Sequence, residues 1–178
     1  MTLTVTPTID QLCTKLRTYL LSIVPAGTIV LRGPVDRAAQ PVDPHVVFTP
    51  VFRRRLRTNV ETDVDPFPNP TPGSTQIEEG VQFEMQVDCY GDSLAHDWAA
   101  MVETTFRSEY AVNALAPECA PLYADEARQV PLVTGEEQYL ERWMVRAVLQ
   151  YNPVTTVPQQ FADTVTVNII EVDARYPP

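Results

Sequence analysis

Residues 76–90 read QIEEGVQFEMQVDCY, and this stretch decides the fold class. From Val81 onward apolar and polar side chains alternate without a break. Val81, Phe83, Met85, Val87 and Cys89 fall on one side; Gln82, Glu84, Gln86, Asp88 and Tyr90 fall on the other. A period of two belongs to a β-strand with one buried and one polar face, so residues 76–90 are expected to form one long strand. The buried face needs a covering layer, and the flanking sequence offers helices for it.

Upstream, residues 45–57 are β-prone through Val46, Val47, Phe48, Val51 and Phe52, with Pro50 among them. Proline removes a ladder donor, so this strand is expected at a sheet edge or with a bulge at Pro50. Between the two runs, residues 58–75 hold Pro66, Pro68, Pro70, Pro72 and Gly73, a stretch too long and proline-rich for a tight turn. Two strands joined in this way predict a hairpin with a long projecting arm. Such an arm is either a limb that orders against a neighbouring subunit or an exposed tip. Arg53, Arg54, Arg55 and Arg57 at its base are the concentrated positive charge of the chain. They could pair with carboxylates of another copy, touch phosphate, or stand as a solvated strand end. These four arginines, with Pro66, Phe67 and Pro68, are the candidate subunit-interface residues.

Further out the chain turns helical. Thr8 followed by Gln11 is a capping-box pattern, and Ile9, Leu12, Leu16, Leu20 and Ile23 then recur at helical spacing, so a helix is expected over residues 9–23. Pro25 and Gly27 end it, and residues 28–31 read as a short strand before an exposed connection over 32–44. After Gly91, with Asp92 or Ser93 as cap, a second helix is expected over 94–112. Its stripe of Leu94, Trp98, Met101, Val102, Phe106 and Tyr110 reads as a core-facing side. The last third is β-prone: short strands over 120–124 and 129–133, a long alternating one over 138–151, and a β-branched one over 164–172, with Pro153 and Pro158 as punctuation. Together these predict one α+β domain over residues 1–178: one antiparallel or mixed sheet, two helices on one face, and the hairpin arm.

Composition narrows the function. The chain has 178 residues, 44% of them hydrophobic, and no apolar run near the ~20 residues that span a membrane. The first ten residues lack the basic and apolar regions of a secretory signal, so cytosolic synthesis is expected. Cys13, Cys89 and Cys119 are odd in number and far apart, which suits reduced buried thiols rather than a disulfide framework or zinc site. A net charge of −10 argues against a grip on nucleic acid, because phosphate binding needs a basic face. It suits a soluble protein, or one lining a passage that DNA crosses without sticking.

Chemistry-bearing motifs are absent: no phosphate-cradling glycine loop, dinucleotide fingerprint, serine elbow or His-Glu-x-x-His pattern occurs. His45 and His96 lack ligand spacing, and the pairs Glu78–Glu79, Glu136–Glu137 and Asp125–Glu126 lie beside turns as solvated acids do. No catalytic residue, metal ligand or cofactor site is expected.

Four segments in order carry a family resemblance: QVDCYGDSLAHDWAAMVETTFRSEY (86–110), APLYADEARQ (120–129), GEEQYLERW (135–143) and LQYNPVTTVPQQFADTVTVNIIEVD (149–173). The chain resembles the neck or tail-terminator-like proteins of tailed bacteriophages. The resemblance implies an α+β virion protein, made in the host cytoplasm, that forms a ring at the head–tail junction, ends tail-tube growth and joins tail to neck. It favours a hexamer and implies neck, tail-tube or sheath proteins as partners, genomic DNA passing through without specific binding, no membrane and no catalysis. Two other readings stay open on the residues alone: a head-closure or connector protein of the same neck, and a small-ligand-binding α+β enzyme.

Overall fold

A computed structural model describes residues 2–33, 41, 44–66, 72–91, 93–133 and 139–159. In chain order the elements are β1 (Thr4–Thr6), α1 (Ile9–Ile23), β2 (Ile29–Arg32), β3 (His45–Arg55), β4 (Val60–Val64), β5 (Gly73–Glu78) and β6 (Val81–Tyr90). There follow α2 (Leu94–Phe106), α3 (Glu109–Leu115), β7 (Ala120–Ala124), β8 (Arg128–Gln129), β9 (Leu132–Val133), β10 (Tyr139–Leu140), β11 (Arg142–Tyr151) and β12 (Val154–Gln159).

The α+β class is as expected, with two sheets of size instead of one and three helices instead of two. The larger sheet has the order β2-β3-β6-β11-β7, and β8 also pairs with β11. Strands β3 and β11 flank β6 antiparallel to it, and β2 runs parallel to β3 from Ile29 beside His45 to Arg32 beside Phe48. The smaller sheet has the order β1-β12-β5-β4, all antiparallel. A two-residue pair, β9 with β10, stands apart.

The smaller sheet prolongs the larger one. The chain passes from β3 into β4, from β5 into β6 and from β11 into β12, so three neighbouring strands cross from one sheet to the other at one level. At this joint Leu56 N donates to Gly80 O at 2.8 Å and Glu79 N donates to Pro153 O at 3.0 Å. The expected single strand over 76–90 is therefore two strands, broken at Glu79 and Gly80 where the ladder changes partners. The expected projecting arm over 58–75 includes β4 and the start of β5, tied into a sheet through β12; its tip, 67–71, lies outside the described residues. Pro153 sits at the joint, but Pro158 is inside β12 opposite Ser74, beyond the stretch that β1 covers, where a missing donor is tolerated. The strand expected over 164–172 and most of the connection over 32–44 lie outside the described residues.

Pro50 produces the bulge anticipated for it: the register shifts between Pro50 and Phe52, so Val51 has no partner on β6. Among the described residues β3 is also an edge from Thr49 onward, because β2 ends beside Phe48.

The helices form one layer on the Val81–Phe83–Met85–Val87–Cys89 face. Helix α1 begins and ends where its signals place it: Thr8 Oγ1 accepts from Gln11 N at 3.2 Å, and Thr8 N donates back to Gln11 Oε1 at 2.7 Å. It buries Leu12, Cys13, Leu16, Tyr19 and Leu20, while Ile9 on its first turn is exposed. The second expected helix is two. Hydroxyls compete with the backbone at the break: Thr105 Oγ1 donates to Met101 O at 2.6 Å and Ser108 Oγ donates to Thr105 O at 2.6 Å. Arg107 meanwhile reaches across to Ala124 O at 2.6 Å. Trp98, Val102 and Phe106 are buried as the stripe predicts, but Tyr110 is 47% exposed, resting on Tyr19 with its hydroxyl donating to Ser22 Oγ at 2.8 Å. Ser93 holds the N-cap position of α2 without a side-chain cap bond, its φ at 56°; Asp92 lies outside the described residues.

The opposite face of the larger sheet is polar but not open water. Asp88 is 4% and Glu84 8% exposed, because cations on β11 close over them. Arg142 Nη2 lies 2.9 Å from Asp88 Oδ1, and Arg146 binds Glu84, each pair diagonal across the β6–β11 ladder. His45 stacks on Tyr90 at 4.7 Å, with the Arg142 guanidinium 5.8 Å over the same ring.

Candidate subunit interface

The four arginines mark the end of β3 and the start of the joint. Arg53 and Arg55 stand opposite Phe83 and Val81 in the ladder, and Arg54 opposite Gln82 on the other face. All four are exposed, but two already have carboxylate partners. Arg53 Nη2 lies 2.5 Å from Glu79 Oε2, and its Nε donates to the Tyr151 hydroxyl at 3.3 Å. The Tyr151 bond, and after it Glu79, holds the Arg53 guanidinium above the ordinary arginine value against the opposing effect of burial. Arg57 binds Glu78, its stem lying so close across Gly80 that a Cβ there would meet Arg57 Cγ at 2.8 Å. Arg55 donates through Nε to Arg57 O at 2.8 Å. Among the described residues neither Arg54 nor Arg55 faces a carboxylate.

The Glu78–Glu79 pair, which the sequence places among solvated acids, is thus what orders half of the arginine cluster. The signal was legible only in part: two acids beside Gly80 and four bases at 53–57 are opposite charges on strands that pair, but the register that joins them depends on the bulge at Pro50. Pro66 follows β4 and is half-buried; Phe67 and Pro68 lie outside the described residues.

Beyond the joint, the small sheet carries a second set of charges. Glu61 and Asp63 on β4 are exposed, with Asp63 accepting from Thr75 Oγ1 at 2.7 Å. Every residue of β1 and β4 is exposed, and no side chain of β1, β4, β5 or β12 belongs to the buried core. Exposed apolar side chains flank and separate the two charge sets: Val51 53%, Phe52 54%, Leu56 44%, Val60 44% and Val64 40%.

Cys13, Cys89 and Cys119 are free and buried, and burial pushes the latter two thiols up to about 12. His96 lies edge-on to Trp143 at 4.6 Å, far in sequence from His45. No group of three or more His, Cys, Asp or Glu among the described residues is placed to hold a metal ion, and no described helix is long and apolar enough to cross a membrane.

No curated protein matches the chain. The family model for the phage neck terminator protein matches residues 10–173, which takes in the helices, the larger sheet and most of the small one, and the chain belongs to that family.

Proposed function

We propose that this phage neck protein assembles as a closed ring, hexameric by preference, at the head–tail junction, where it ends tail-tube growth and joins tail to neck. Its role there is structural, without catalysis or cofactor. The observation that carries the reading is the small sheet: four strands that bury no core side chain on either face. A sheet of that size is normally stabilised by packing a face against another layer. In a ring the next copy supplies that layer, and a heterologous contact that closes by rotation gives every copy the same environment. The neighbouring neck, tail-tube or sheath proteins dock above and below. The interface candidates at Arg53, Arg54, Arg55, Arg57, Pro66, Phe67 and Pro68 belong to the same joint and hairpin. The acidic surface suits a channel through which DNA passes without specific binding, since such a surface cannot displace the counterions condensed on DNA. Negative-stain microscopy of the purified chain tests the reading. Rings with a central hole wide enough for duplex DNA are expected; a compact monomer at micromolar concentration overturns it.

A further inference from the structure

We infer that residues 51–64 form the surface on which a second copy of this chain docks, with Arg54 and Arg55 of one copy set against Glu61 and Asp63 of the next. This rests on the ring reading for the larger assembly but names its contact. Three observations support it. First, the charges are left over. Arg53 and Arg57 are neutralised by Glu79 and Glu78, whereas Arg54 and Arg55 face no carboxylate, and Glu61 and Asp63 face no cation, among the described residues.

Second, the two sets cannot satisfy each other within one chain. From Arg55 to Asp63 the facing strand advances from Val81 to Thr75. At about 3.3 Å per residue that places Arg55 and Asp63 on the order of 20 Å apart along the ladder, and the nearest pair, Arg55 and Glu61 opposite Val81 and Ile77, roughly 13 Å apart, beyond direct ion-pair distance. Opposite patches at two places on one chain let the basic patch of each copy meet the acidic patch of the next, the head-to-tail contact that a ring requires.

Third, the stretch that carries the charges exposes apolar side chains, and among the described residues its edge is open. Val51, Phe52, Leu56, Val60 and Val64 are 40–54% exposed within fourteen residues. Val51 is the bulged residue, and among the described residues no strand lies beside β3 on one side beyond Phe48 or on the outer side of β4. Strand alternation puts Arg54 and Arg55 on opposite faces of β3, and Val60 and Val64 on the face of β4 opposite to Glu61 and Asp63, so the contact is made along the edge, where both faces contribute, and an open edge left bare invites pairing. A partner of another sequence would need to match both signs at this spacing, whereas a second copy does so by construction.

Two variants test the contact, with circular dichroism confirming the fold of each: R54E/R55E, and E61K/D63K. Each sets like charges opposite one another, and each is expected to weaken self-association about tenfold or more in sedimentation velocity and native mass spectrometry. The quadruple exchange R54E/R55E/E61K/D63K restores opposite signs in every contact and recovers assembly. Wild-type assembly in either double variant, or failure of the quadruple exchange to recover it, overturns the inference. A charge-dependent pair of copies that never closes into rings supports the contact while overturning the ring; a monomeric wild type overturns both.

Discussion

A carboxylate as enclosed as Asp88, whose side chain is 5% exposed, persists in a sheet only where cations and amide donors surround it. Arg142 lies 2.9 Å away, and Gln86 Nε2 donates at 2.8 and 3.1 Å. In Arg142→Ala the amide remains and the charge partner is lost, so the variant is expected to lose about 2–3 kcal/mol, read from its urea midpoint. Adding Asp88→Asn should recover part of that loss, because the orphaned group is then neutral; an unchanged midpoint in Arg142→Ala would show that the pair contributes nothing. The buried thiols give a second prediction. Cys89 and Cys119, ordinarily near 9.0, and Tyr19, ordinarily near 10.0, are pushed up to about 12 by burial. The unfolded chain releases these protons from about pH 9 while the folded chain holds them, so the folded state binds the extra protons. Stability is thus intact below pH 9 and falls as pH rises towards 12, each cysteine contributing from about pH 9 and Tyr19 from about pH 10, at no more than about 1.4 kcal/mol per pH unit for each group. Melting temperatures from pH 7 to 11 should fall less steeply in C89A/C119A than in wild type, even from a lower start; parallel curves would refute the assignment. At this scale the cysteines were legible, since an odd, scattered set has nothing to pair with. The burial of Asp88 was not, because its partner Arg142 stands 54 positions away and is brought close only by the β6–β11 register.

Elements whose ends are written in local chemistry were readable to the residue. Helix α1 is the clear case, its start set by the reciprocal Thr8–Gln11 bonds and its stripe by Leu12, Leu16 and Leu20. The break between α2 and α3 escaped because the apolar spacing runs straight through it, from Phe106 to Tyr110. What stops the helix is Arg107 reaching to a carbonyl on β7, together with two hydroxyls that bond back to the turn before them. Strand β1 escaped for another reason: three exposed residues carry no periodicity, and only pairing with β12 makes them a strand. The joint at residues 56–59, 79–80 and 152–153 was visible as Gly80 and Pro153, yet nothing local says that three strands change sheets there together. Because the small sheet contributes nothing to the core, its removal separates folding from assembly. Deleting residues 60–73 should leave the helical and larger-sheet signal in circular dichroism nearly unchanged while abolishing higher oligomers in native mass spectrometry. Oligomers of wild-type stability in that deletion would mean the contact lies elsewhere.

At the scale of the whole molecule, two electrostatic effects of opposite sign act on assembly. Each copy carries a net charge of −10, so bringing copies together costs repulsion that acts over the whole surface. The local pairing inferred between Arg54, Arg55 and their counterparts at Glu61 and Asp63 is attractive and short-ranged. Salt separates the two because screening depends on distance. Raising ionic strength from 0.01 M to about 0.15 M shrinks the Debye length from roughly 30 Å to 8 Å, which removes most of the repulsion between surfaces and little of a contact at ion-pair distance. Raising it further to 1 M brings the Debye length to about 3 Å and weakens the contact itself. Self-association should therefore tighten from 0.01 M to near 0.15 M salt and then loosen towards 1 M, a maximum that sedimentation velocity at fixed protein concentration would show. The R54E/R55E variant has lost the attraction and kept the repulsion, so its association, however weak, should rise with salt throughout. Steady tightening of the wild type up to 1 M would mean that the apolar side chains around Phe52 and Leu56 hold the copies together and that the charges only set their register.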